Sequence, residues 1–159
     1  MLDSCPTLWP HPLLVPILLL DVLMNSLEAG IQVNIKSIEK FEAEVSELPS
    51  LDMDSRPLAE RADVTDLLTR LHTTLKEAIK LLDAANWMDK AAIMLDEIGN
   101  ELNKIPNFGS NSLWAEMQSF LEDIRRITDY LKPDPVMTQQ RCMSQIDIMS
   151  ELFRLRRVC

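Results

Sequence analysis

The chain has 159 residues, 47% hydrophobic and 26% charged, with a formal net charge of −9 and only 5% aromatic residues. That length can bury a sizeable core in one domain, and the balance is that of a folded soluble protein, not a disordered one. The acidic charge opposes nucleic acid and anionic lipid as partners, because phosphate recognition draws on clustered Lys and Arg.

Three glycines and few aromatics argue against a sheet protein, whose turns and strands need both. The abundant Leu, Ala, Glu, Lys and Met favour helix. Cys5, Cys142 and Cys159 are odd in number and far apart, which gives neither a disulfide framework nor a zinc knuckle. A reducing, cytoplasmic compartment is the expectation.

Residues 1–12 contain Pro6, Pro10 and Pro12 and are expected to be irregular. Leu13-Leu-Val-Pro-Ile-Leu-Leu-Leu-Asp-Val-Leu-Met24 follows. A signal peptide would need a basic start, and Asp3 is the only early charge. A membrane span would need about 20 apolar residues, and this run is shorter and holds Pro16 and Asp21. The favoured reading is a buried helix start, with both prolines near the first turn, where a missing N–H costs little. Ile17, Leu20, Met24, Leu27, Ile31, Ile35, Ile38, Val45 and Leu48 continue the pattern and predict a helix over 13–48.

A connector, 49–57, leads to the longest periodic stretch, 58–105. Val64, Leu67, Leu68, Leu71, Leu75, Ile79, Leu82, Ala85, Ala92, Leu95, Ile98 and Leu102 recur there at steps of mostly three or four, the spacing of one helix face. A helix of about 45 residues would run roughly 68 Å, against about 39 Å for a compact sphere of this chain length. Either the protein is a rod or the helix breaks near Asn86-Trp87 or Gly99-Asn100. Pro106-Asn-Phe-Gly-Ser-Asn-Ser112 reads as a loop with a capping residue at its end. Helices over 111–132 and 136–157 follow, interrupted by Pro133-Asp-Pro135.

The fold expected is all-α: an elongated antiparallel helical bundle of three to five helices, with 13–157 as one domain. No catalytic, cofactor-binding or metal-ligating set emerges. His11 and His72 lie far apart without partners at ligand spacing. Asp52 and Asp54 read as turn residues before they read as Mg²⁺ ligands. Asp63 with Asp66, and Asp123 with Arg126, read as solvated charge or a weak helix pair.

Cys142 reads as a small packed residue, and the nine methionines as core filling. Trp87 and Trp114 read as plugs between helices, with Trp9 docking the N-terminal segment. Arg154, Arg156 and Arg157 suit a helix C-terminus. Nothing resembles a nucleophile elbow or a phosphate loop, so a non-enzymatic protein is expected.

Two segments carry a family resemblance. His11-Pro-Leu-Leu-Val-Pro-Ile-Leu-Leu-Leu20 is similar to a His-Pro-Leu-Leu-x-Pro opening, and Arg141-Cys-Met-Ser-Gln-Ile-Asp-Ile148 to an Arg-x-x-Ser-Gln-Ile segment. Both occur in fungal proteins of the CorA-like magnesium-transporter type, and the matches touch under a fifth of the chain. The resemblance implies a long helical cytosolic domain that precedes two membrane spans and a Gly-Met-Asn signature. Neither the spans nor the signature is present here. What it implies is therefore a soluble helical portion acting by helix–helix association, either with itself, with a helical partner or with a membrane protein. An independent scaffold unrelated to transport is the alternative, and weak Mg²⁺ sensing by acidic patches is a minor one.

Overall fold

The computed structural model describes residues 11–47, 59–105 and 111–156. These form four helices: α1 (Leu14–Glu47), α2 (Ala59–Leu102), α3 (Asn111–Leu131) and α4 (Pro133–Arg156). No strand occurs among the described residues, so the chain is all-α. Cys5, Trp9, Asp52, Asp54, Arg157 and Cys159 lie outside the described residues, as do the side chains of Asp63, Val64, Arg154 and Arg156.

Burial follows one rule along every helix. In and just before α1, Leu13, Ile17, Leu20, Met24, Leu27, Ile31, Asn34, Ile38 and Phe41 are buried, at alternating steps of four and three. In α2 the same alternation runs through Leu67, Leu71, Ala78, Ala85, Met88, Ala92, Leu95 and Gly99, with half-buried Thr74 and Leu81 filling the two gaps. In α3 it runs through Trp114, Met117, Leu121, Ile124, Thr128 and Leu131, and in α4 it resumes at Pro135, Thr138 and Cys142. Steps of four and three make a heptad, the pattern that keeps one seam of a helix turned toward its partners.

Two expectations change. Neither proposed break in α2 occurs: the helix is continuous past Asn86 and reaches beyond Gly99. The heptad seam explains this, since packing on one face outweighs the roughly 1 kcal/mol that a helical glycine costs. The last helix starts at Pro133, not at 136. Pro133 and Pro135 both fall in its first turn, where the N–H groups have no intrahelical acceptor to lose. Pro16 occupies the first turn of α1 for the same reason.

By contact, the chain divides into two units, where the sequence pattern groups 13–157 together. The first gathers the chain up to Glu28 and Ala84–Leu131; the second gathers Ala29–Asp83 and the chain from Lys132 on. In the first unit, the indole N–H of Trp114 donates to Asn100 Oδ1 at 3.2 Å, Gln118 Nε2 to Asp96 Oδ1 at 3.0 Å and Arg125 Nε to Asp89 Oδ1 at 3.4 Å. As α3 advances, its partner on α2 retreats, so these two helices run in opposite directions.

In the second unit, Gly30 faces Leu81, Asn34 Nδ2 donates to the Thr74 carbonyl at 3.0 Å, and Arg70 grips Glu44 through two bonds of 2.7 and 3.1 Å. The pairing again descends on α2 as it climbs on α1. Arg141 of α4 grips Glu42 in the same two-pronged way, at 3.0 and 2.5 Å. Under these clamps lies a core of Ile38, Phe41, Leu67, Leu71, Cys142 and Met149. Each such aliphatic or aromatic side chain contributes about 1.5–3 kcal/mol on leaving water.

Candidate interaction surface

No group of three or more His, Cys, Asp or Glu side chains converges to hold a metal among the described residues. His72 and Asp66 are exposed on α2. Asp123 accepts from Arg126 Nη2 at 2.8 Å one turn away, an exposed pair of the kind that contributes little. The concavities are shallow. One runs along α4 itself, between Gln140, Met143, Asp147 and Ile148. Another lies between α1 and α2 beside Lys40, Thr73 and Arg70.

Arg70 is committed to Glu44. Its guanidinium hydrogen bond holds the Glu44 carboxyl below the usual carboxylate range and raises the Arg70 pKa in turn. Arg141 is raised likewise by its bonds to Glu42. A site for acid–base chemistry needs carboxylates with affinities pushed apart in a shielded pocket, and these are salt-linked at positions about one-third exposed.

Cys142 is fully buried, and burial pushes its thiol up to about 11. The thiolate is the reactive form, so the side chain is an inert packing element, as its helical position implied.

One surface stands apart. Val15, Leu18, Leu19, Val22 and Leu23 are all exposed on α1. The first four are spaced i, i+3, i+4, i+7 and therefore occupy one helical face. The opposite side of the same helix carries the buried Ile17, Leu20, Met24 and Leu27. This part of α1 thus carries two apolar stripes, one packed and one bare, with Asp21 as its one charged residue.

Monomeric soluble proteins rarely expose a contiguous apolar patch of more than roughly a few hundred Å², and five adjoining Val and Leu side chains are of that order. Along α1 the first Lys or Arg is Lys36, well past the patch. Within Leu14–Ser46 a window of mean hydropathy 1.7 is 28% buried, which makes α1 long and apolar enough to cross a membrane by length and composition alone.

The sequence run 13–24 predicts a buried helix start, and half of that holds. Its a and d positions are buried, but the remaining apolar positions have no partner among the described helices. A helix that packs needs apolar residues on one stripe only; the surplus on the second stripe was the available signal for a surface. Trp114 fills a gap between helices, as expected, whereas Trp87 is 58% exposed and does not. Trp87 lies one position before the buried Met88, so the heptad turns it outward. Of the methionines, Met24, Met88, Met117 and Met149 are buried, but Met94, Met137 and Met143 face solvent.

No protein-family model matches this chain, and no curated protein or solved structure matches it.

Proposed function

We propose that this chain is a non-enzymatic helix-packing module, an elongated antiparallel bundle resembling the cytosolic portion of a CorA-like membrane protein. It acts through helix–helix association. The contact surface is the outer face of α1, and its occupant is the same face of a second copy. The observation that carries this reading is the row Val15, Leu18, Leu19 and Val22, exposed on a helix whose other side is already packed. Such a face is self-complementary: two copies related by a twofold axis bury apolar surface against apolar surface.

The association is weak and concentration-dependent. A stable interface buries about 800 Å² per partner, and one short helical face offers less. The module has no substrate and no cofactor. Its acidic surface keeps it off nucleic acid and anionic lipid.

Sedimentation velocity from 1 to about 200 µM tests the proposal. A reversible shift from monomer to dimer is expected, abolished by Leu18→Lys with Val22→Lys while the helical circular dichroism is unchanged. A monomer throughout overturns it. So does a dimer that survives the double variant. Flotation with zwitterionic vesicles in place of dimerisation would show that the face meets a bilayer instead of a second copy.

A further inference from the structure

The described part of the first unit starts with a histidine that the packing account leaves unused. His11 is buried, only 5% exposed, just before α1. Its ring lies over the Trp114 indole with centroids 5.5 Å apart and planes 21° from parallel. Trp114 in turn sits against Gly99 of α2 and donates to Asn100. One ring therefore joins the start of α1, the end of α2 and the start of α3.

The hydrogen bonding of His11 defines its protonation state. The backbone N–H of Leu13 donates to Nδ1 at 3.3 Å, while the His11 carbonyl accepts from Leu14 N at 2.8 Å. Both bonds satisfy N–H groups that a helix start leaves open. To accept, Nδ1 must carry no proton, so the ring is neutral with its proton on Nε2. Nε2 is buried and has no partner.

A second proton must go to Nδ1. It would turn the acceptor into a donor aimed at a backbone N–H, and it would place a charge where neither nitrogen has an acceptor. The adjoining turns carry Asp96, Glu97, Glu101 and Lys104 on α2 and Glu116 on α3. Asp96 is engaged by Gln118 and Asn100, and Glu101 is paired with Lys104. Neither ring nitrogen is bonded to any of these charges. Burial alone lowers its affinity for the proton.

We propose that His11 is an acid-sensitive latch: protonation of Nδ1 breaks its bond to Leu13 N–H, unstacks the ring from Trp114 and releases the first turn of α1. The sign follows from linkage. The folded state holds the proton less tightly than the unfolded one, so the latch contributes its full stability above about pH 6.5 and loses it as pH falls.

The test uses the full chain in a His72→Gln background, so that one imidazole remains. Nitrogen-15 NMR reads both tautomer and titration. The Nε2–H tautomer at pH 8 and a midpoint below 6.5 are expected. With Trp9→Phe and Trp87→Phe added, Trp114 emission should change with that same midpoint. The Nδ1–H tautomer, or a midpoint at or above 6.5, overturns the proposal.

A His11→Gln variant separates the latch from simple packing. It should lose the drop in melting temperature between pH 8 and 5, and an unchanged drop would contradict the latch. If that variant does not fold, the wild-type ring titration still decides.

Discussion

The two units solve the same packing problem with different means. In the first, three helix ends meet around Trp114, wedged against Gly99 and covered by His11; single polar bonds from Trp114, Gln118 and Arg125 tie α3 to α2, and the outer face of α1 stays apolar. In the second, α1 is held to α2 and α4 by two-pronged Arg–Glu clamps at Glu44 and Glu42. A buried amide, Asn34, hydrogen-bonds the backbone of α2. Polar groups of this kind fix the register of helices at some cost in stability, whereas a wedge fixes distance and tolerates apolar surplus around it. The difference teaches that both units specify which helices pair, but the second does so through two-pronged clamps, while the first also leaves an apolar row on α1 over for something else.

The largest effect should come from removing the notch. A Cβ on Gly99 would land inside the Trp114 ring, and an indole cannot yield as a flexible chain end can. Gly99→Ala is expected to lose about 3 kcal/mol in urea unfolding. Adding Trp114→Leu should recover much of it, and additive losses would mean that the wedge is not the cause. Gly30→Ala makes the contrast within the second unit. Its Cβ would meet only the end of the Leu81 side chain at 2.9 Å, so the loss should be far smaller.

Next comes Asn34. Its Oδ1 is buried without a partner, which costs about 1–3 kcal/mol relative to a satisfied or apolar site. Asn34→Val is therefore expected to raise the urea midpoint. A lower midpoint would show that the bond to Thr74 is a net gain and not a register device.

The clamp at Glu42 and Arg141 is smaller still. Both side chains are about one-third exposed, and such pairs contribute about 1 kcal/mol or less. A double-mutant cycle with Glu42→Gln and Arg141→Met should return a coupling of that size, weakening with salt. The smallest change is expected at Thr128, fully buried with an unpartnered hydroxyl. Thr128→Val keeps the shape, removes the orphan and should leave stability unchanged or raise it by about 0.5–1 kcal/mol.

The helices were legible in the sequence because large apolar residues mark their faces: Leu67, Leu71 and Leu95 were placed correctly by spacing alone. The stripe drifted where the seam is built from small residues. Ala78 and Gly99 are buried, yet their neighbours Ile79 and Ile98 look more like core and lie exposed. Hydropathy weighs the side chain, but the heptad weighs the position, and a close helix approach needs small residues at the seam.

Asn34 and Thr128 escaped for the same reason, being polar at buried heptad positions. The candidate surface was visible only as excess. The run 13–24 has more apolar residues than one buried stripe can use, and counting that surplus requires knowing which stripe packs. The role of Trp114 as a plug could be read from its position, but its two supports, Gly99 and His11, are far away in sequence.

The most direct test of the account places a nitroxide beside the proposed contact without altering it. Asn25 is exposed on α1 and outside the row Val15, Leu18, Leu19, Val22. In a Cys5→Ser, Cys159→Ser chain, Asn25→Cys can be labelled and studied by double electron–electron resonance at rising concentration. A defined intermolecular distance that grows in amplitude, and is lost when Leu18→Lys and Val22→Lys are added, is the expected result. No intermolecular distance at residue 25, or one that survives Leu18→Lys with Val22→Lys, would contradict the claim that the outer face of α1 is where this chain meets its partner.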